Sequence, residues 1–537
     1  MKLQGLSNRL YNIFFHTHTV SGIVLSFGLY VIFFAGAFSL FKSEFYQWEN
    51  PVARQKLTEP VDYNQVLSAL KKNNPRFDFT EDITVRIPSE KEPHMMIYGH
   101  LTVPKGKPEE HYSTAYSPQT KTFSEEGTST TGETLYRLHF FDQVPFYIGR
   151  YITGFVALFF LFATITGVLV HWRNIFSKFY GFSVKGTWKQ IWTNAHTVFG
   201  MIGLPFQLMY AVTGAFYMLS ILILLPVVMV FYGGDQKKVF EMIRPSEGIA
   251  INANAPARTF TPGISAILED IQRKHPDLHF RFLQLKNYDR EDALLTLAMS
   301  NDRSFTSDGY ISVRLKTGQT ELDLLPGKKN YTQSVLFGIA KLHFATFGGF
   351  LLKSIYFLLA LFTCFVIISG ILLWKEARNK KNYTTEQKRF HHRVTMVYLA
   401  ICFSLFPAVA ILFNSELLMP ALKNHVFLVN TTFFVSWLVL AVVSLLFRTE
   451  ARLTWFNLLA GGAFSILIPF VNGITTGDWF WKMLAEGNLY VAFTDLFWLV
   501  TGITSLALAG MMHNRPAQIP AQAGEQGGFV KKKALQL

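Results

Sequence analysis

Eight apolar runs punctuate the chain, at 17–41, 147–172, 196–232, 351–374, 394–418, 426–447, 454–475 and 489–512. Each is about 20 residues or longer, enough for a helix to cross a hydrocarbon core of roughly 30 Å. Two long stretches between them, 42–146 and 233–350, mix polar and apolar positions as globular domains do. In the first, Tyr63–Asn73 has amphipathic helical spacing, and an extended stretch, Ile83–Ile87, follows it. In the second, Ile264–Lys274 precedes Phe280–Leu285 in the same way. Alternating stretches come later in both, at Ser113–Tyr116 and Tyr310–Arg314. The pattern predicts a polytopic α-helical membrane protein with about eight transmembrane helices and two small α+β domains, each carrying an antiparallel sheet.

The apolar runs also repeat. His18-Thr-Val-Ser-Gly22 near the start of the first matches His196-Thr-Val-Phe-Gly200 near the start of the third. Eighteen residues beyond each histidine stand Gly36 and Gly214, within Ala35-Gly-Ala-Phe38 and Thr213-Gly-Ala-Phe216. Eighteen residues are five helical turns and four are about one. His18, Gly22 and Gly36 therefore share one helix face, and His196, Gly200 and Gly214 another. Such a stripe can admit a flat, bulky group, or it can pack closely against a neighbouring helix. Arg137-Leu-His139-Phe140 and Lys341-Leu-His343-Phe344 lead back into apolar runs that close on Thr166-Gly167…His171-Trp172 and Ser369-Gly370…Trp374.

The expected organisation is a first repeat at 1–172 and a second at 196–378, joined by a loop at 173–195. The first holds a helix at 17–41, a domain at 42–146 and a helix at 147–172. The second holds 196–232, 233–350 and 351–374. Both copies run in one direction, so this is a parallel repeat with its axis along the membrane normal. A four-helix membrane region at 394–512 shows no match to it, and a tail follows at 513–537.

Charge orients the chain. The segments 1–15, 173–195, 375–393, 448–453 and 513–537 hold 19 of the 50 basic residues but only 4 of the 36 acidic ones. That leaves 31 basic against 32 acidic elsewhere, so the net charge of +14 lies in alternate loops. This is the positive-inside pattern, and it removes the nucleic-acid reading that so basic a protein invites. It predicts both termini in the cytoplasm and the two domains outside. The first run is too long for a signal-peptide core and no cleavage site follows it, so it reads as an anchor. Two cysteines exclude a disulfide framework and a CxxC pair, and there is no CxxCH for covalent haem. No Walker loop or GxGxxG is present, so no flavin or nicotinamide site is expected in this chain.

Histidines beside apolar helices are costly unless partnered. They fall at two levels: His139 and His343 at the outer face; His16, His18, His171, His196, His391 and His392 at the inner. Two neutral imidazoles from different helices can ligate one haem iron axially. The repeat pairs His139 with His343 and His18 with His196, giving a site for non-covalent haem b near each face. Taken singly, an interfacial histidine often just bonds a carbonyl or a lipid headgroup; pairing and repetition carry the haem reading. His171 and His16 are the alternative inner ligands. Asp495 and Glu416 are the main acidic residues within the spans, too few for an acidic relay or cation path.

These phrases resemble the PepSY-associated transmembrane helix family of bacterial inner-membrane proteins. The residues carrying the resemblance are the His18 and His196 starts, Gly36 and Gly214, the Thr166-Gly167 and Ser369-Gly370 helix ends, and two PepSY-like outer domains, over about 8–378. The resemblance implies periplasmic PepSY-like domains and an inner-membrane location. It also implies kinship with iron-regulated di-haem reductases that pass electrons to ferric siderophores and release Fe(II). It supports His139 with His343 as outer ligands, and His18, His196 and His171 as inner ones. Phe140, Phe141 and Asp142 are expected to wall a bulky chelate. The implied electron donor is external, a flavoprotein reductase or a quinol. A siderophore or metallophore permease and a PepSY-type regulatory binding protein are the alternatives.

Overall fold

The computed structural model describes residues 6–513 except 55–56, 58–59, 90–92, 105, 107–109, 125–129, 146–147, 175–176, 178, 181, 184, 244, 302–304, 307, 326 and 420–423. The helices, in chain order, are α1 (Asn8–Ser39), α2 (Lys42–Glu49), α3 (Tyr63–Asn73), α4 (Thr131–His139), α5 (Ile148–His171), α6 (Trp188–Ile202), α7 (Leu204–Phe231) and α8 (Gln236–Ile243). Then come α9 (Ile264–Lys274), α10 (Tyr331–Phe344), α11 (Gly349–Ala377), α12 (Thr385–Leu418), α13 (His425–Ser444), α14 (Glu450–Thr476), α15 (Phe480–Ala485) and α16 (Leu489–His513). Local sequence sets several of their starts. Thr187–Gln190, Asn330–Gln333 and Thr384–Gln387 form capping boxes at α6, α10 and α12, satisfying donors that a helix start leaves open.

Among the described residues seven helices are long and apolar enough to cross a membrane: α1, α5, α11, α12, α13, α14 and α16. The bent pair α6–α7 brings the number to eight if it counts as one span. The chain is a multi-pass helical membrane protein. The run at 196–232 is not a straight helix, because α6 and α7 meet at 68°. Pro205 stands in the first turn of α7 and cannot donate the bond a continuing helix needs there, so the chain turns at Gly203.

Helix α1 packs on both α5 and α11, α6 packs on α11, and α7 packs on α5. In the C-terminal region α12 lies between α13 and α14, and α14 packs on α16. One apolar cluster runs through both groups, from Phe33 and Phe38 to Phe357, Phe413 and Trp498. Burying a large side chain of this kind contributes about 1.5–3 kcal/mol each in water; within lipid the gain comes from close packing instead.

The two long polar stretches do not build two separate sheets. Their strands are β1 (Ile83–Arg86), β2 (Met95–Leu101), β3 (Glu110–Ser117), β4 (Thr122–Phe123), β5 (His279–Lys286), β6 (Leu294–Ser300), β7 (Gly309–Arg314) and β8 (Thr320–Leu324). They form one antiparallel sheet in the order β4-β3-β2-β1-β5-β6-β7-β8. The seam is β1 against β5, from Ile83 opposite Leu285 to Arg86 opposite Phe282. Strands β1 and β2 alternate buried and less buried positions, as a sheet with one covered face requires. Val66, Leu67 and Leu70 of α3 and Ile264, Leu268 and Ile271 of α9 join Ile83, Val85, Leu283 and Leu285 in the covering core.

Polar bonds fasten the segment after α1 to the C-terminal helices. The buried Arg54 pairs with Asp478 at 2.5 Å and donates from Nε to the Gln47 carbonyl at 2.9 Å. Trp48 Nε1 donates to Asp495 Oδ1 at 2.7 Å, and Asn472 Nδ2 donates to its other oxygen at 2.8 Å. Asp495, the acidic outlier of the last span, thus belongs to a satisfied buried cluster.

Candidate functional site

The sheet-side site is built on two short helices that lie outside the membrane-spanning ones. Glu49 holds the start of α4, accepting from the backbone N–H groups of Thr130 at 3.0 Å and Thr131 at 2.9 Å. A carboxylate there also suits the positive end of the helix dipole. His139 closes the helix with its ring in a notch of α1, where a Cβ on Gly36 would stand 2.6 Å from Nδ1. His139 Nδ1 bonds the Ile32 carbonyl at 2.8 Å. Opposite it, His343 is the penultimate residue of α10, just before Ala345 turns the chain at φ +52°. His343 Nδ1 lies 2.9 Å from Thr213 Oγ1. The Thr213 hydroxyl also lies 2.8 Å from the Met209 carbonyl, which can only accept. Tyr210 adds a bond from its hydroxyl to the His343 carbonyl at 2.8 Å. The two rings stand 6.2 Å apart, centre to centre. Burial, with the His139 ring beside it, pushes the His343 imidazole down to about 3, and burial lowers His139 too, so both rings are neutral at ordinary pH.

The far-side site is built on α1 and α6 against carbonyls of α5 and α11, and is symmetric. His18 Nδ1 bonds the Ala163 carbonyl at 2.8 Å, and His196 Nδ1 bonds the Val366 carbonyl at 2.9 Å. Each carbonyl also accepts from a hydroxyl three residues on: Thr166 at 3.0 Å and Ser369 at 2.9 Å. Gly167 lies behind His18 and Gly370 behind His196, where a Cβ would come to 3.0 and 3.1 Å of the ring carbons. The ring centres are 6.0 Å apart. One turn along from each histidine the helix faces are open. A Cβ on Gly22 would meet nothing within 4 Å, and one on Gly200 only Val366 at 3.8 Å.

One chemical rule covers three of the four histidines. A carbonyl can only accept, so Nδ1 of His18, His139 and His196 carries the ring proton. Their Nε2 then keeps its lone pair, the tautomer a metal-bound imidazole has when its other nitrogen is held by a carbonyl; the Thr213 hydroxyl can accept from His343 Nδ1 and so allows the same tautomer there. Two imidazoles bound through Nε2 to one metal, at about 2.0–2.1 Å each, would have ring centres roughly 6.3 Å apart. The observed 6.0 and 6.2 Å fit this. Among the described residues no group of three or more His, Cys, Asp or Glu is gathered as for a bare metal ion. Two imidazoles suffice for an iron whose remaining ligands come from a macrocycle.

Both pairs lie within the stretch matched by a known family. The family model described as PepSY-associated TM region covers residues 15–377. The chain belongs to this family. No curated relative matches it.

The PepSY-associated region thus holds His18, His196, His139 and His343 as two facing pairs. His171, at the end of α5, lies within electrostatic range of His196. His16 is exposed, beside Phe15, and joins neither pair. Gly36 is not an open wall, because the His139 ring fills its notch; Gly214 meets Ala157 at ordinary contact distance, 3.4 Å. Phe140, Phe141 and Asp142 do not present a wall for a chelate either. Phe140 is buried beneath the Arg150 guanidinium, the Phe141 ring packs toward Gly28, and Asp142 pairs with Arg150 at 2.9 Å. Sequence reading passed over Thr213 and Tyr210. Their signal was a polar residue in an apolar helix, with Thr213 standing where the first copy has Ala35.

Proposed function

We propose that this chain carries electrons across the inner membrane through two non-covalent b-type haems, and reduces a ferric chelate on the sheet side, most simply a ferric siderophore. The reading rests on one observation: four imidazoles, each with Nδ1 held by a protein oxygen, gathered as two pairs near opposite ends of the long helices. His18 and His196 would hold one haem, His139 and His343 the other. Bound haem would supply reversible one-electron exchange. The protein's part is to fix ring tautomer and orientation, to keep the ligand nitrogens neutral, and to surround both sites with apolar helices that slow protonation. Iron(II) is held more weakly than iron(III) by such chelators, so reduction frees the metal. The basic excess in alternate loops supports a periplasmic side for the sheet, whose two halves would be the PepSY-like units.

The test is an optical spectrum of the purified protein. Reduction by dithionite is expected to give split b-type bands with two haems per chain. A colourless preparation from iron- and haem-replete cells would end the reading.

The bent pair α6–α7 favours a second reading, a permease for the intact chelate, since broken spans bind cargo in transporters. Uptake of a gallium(III) siderophore, which cannot be reduced, would support that alternative.

A further inference from the structure

Electrons for the far-side pair have to enter from somewhere, and no nucleotide-binding motif lies in the chain. One turn beyond Gly370, which backs His196, α11 carries Trp374. The chain then reverses and α12 brings His391 onto that indole, ring centres 4.9 Å apart and edge to face. Tyr383 and Phe390 approach the same imidazole at 5.9 and 5.6 Å. Arg378 stacks over the other ring of the corner, 4.5 Å from the centre of Trp374. Within this aromatic corner His391 Nδ1 is buried with no hydrogen-bond partner. Its neighbour His392 is satisfied, by the Arg448 carbonyl at 3.2 Å and Glu450 at 3.3 Å; Lys375 takes Glu450 as well, at 2.5 Å. Phe390 is 61% exposed, so the corner has an apolar side open to its surroundings.

We propose that Trp374, Tyr383 and His391 form a site for a membrane quinol, the donor to the far-side pair. This rests on the haem reading above. A quinol is a flat ring that stacks on aromatic side chains, arrives through lipid, and must lose protons with its electrons. An imidazole nitrogen lacking a partner in an apolar corner is short of one hydrogen bond, and a quinol hydroxyl supplies it. With its own proton on Nε2, His391 offers Nδ1 as acceptor. Each quinol becomes a quinone by losing two electrons and two protons. One hydroxyl proton passes to His391 Nδ1 and on to the cytoplasm; the second leaves to water at the same helix end. The two electrons leave one at a time; a haem held by His18 and His196 would accept each in turn, passing the first on to the group at the His139–His343 pair before taking the second.

The test uses the purified, haem-loaded protein in nanodiscs, mixed with a short-chain quinol and followed by absorbance in a stopped-flow instrument. Wild-type protein is expected to be reduced. His391→Gln should slow this at least tenfold while dithionite still reduces it fully, and His392→Gln should match wild type. Wild-type rates in His391→Gln, or wild-type protein reduced by dithionite but not by quinol, would overturn the site. An azidoquinone photolabel, mapped by mass spectrometry, gives a readout independent of colour. Labelling within 374–391 supports the site, and labelling only elsewhere refutes it. A colourless preparation would defeat the haem reading alone, because the label still judges the corner.

Discussion

The two histidine pairs differ in how they are held. On the far side both rings come from helices of the membrane-spanning set, both bond carbonyls at matching positions, and both have a glycine behind them. On the sheet side one ring bonds a carbonyl and the other a hydroxyl, and only one sits in a glycine notch. Both sheet-side rings ride on short helices, and α4 depends on Glu49 for its start. A carbonyl on Nδ1 makes an imidazole a stronger donor through Nε2 than a hydroxyl does. The lesson is that one protein can build two alike histidine pairs from different supports, one from its spans alone and one from short helices beside its sheet.

The comparison breaks outright if ligand removal does not separate the sites. His18→Ala and His139→Ala are each expected to halve the haem-to-protein ratio and to delete different bands of the split spectrum. Loss of both haems in either variant would show that the pairs are one cooperative unit. Next in size is Arg54→Met. It leaves Asp478 without its partner in a buried cluster and should cost about 3–5 kcal/mol. Unfolding in detergent checks the size. The sheet-side bands should broaden first, because α2 and α4 lean on this cluster. Gly36→Val should follow at about 1–3 kcal/mol, since the new side chain meets the His139 ring. Gly214→Ala, with Cβ in ordinary contact, should be near neutral by the same assay. A local effect, on one site and not on the fold, is expected from Thr213→Val, which removes the hydroxyl partner of His343. It should weaken haem retention at the sheet side about tenfold, measured by transfer to apomyoglobin, and leave the far side unchanged.

The membrane spans and the matched histidines could be read from sequence because apolar length and an exact 18-residue spacing are local signals. The bend could not. Pro226, Pro407 and Pro469 all sit inside continuous helices, whereas Pro205 marks a 68° turn. A proline removes one bond wherever it stands; whether the helix breaks depends on what its neighbours repair. The partner of His343 was hidden for a related reason. Thr213 reads as an ordinary small residue until α10 is folded against α7, 130 residues away in the chain. The single sheet was hidden too, because strand pairing between β1 and β5 joins segments about 200 positions apart, and neither edge announces its partner.

That β1–β5 seam has a mechanical consequence. Backbone bonds lace the two halves of the sheet together, one half from each long polar stretch, like a strap across a hinge. A rocking motion of one half-bundle against the other would have to unzip main-chain pairing in water. Exchange of electrons demands no such excursion, so the strap suits a wire better than a gate.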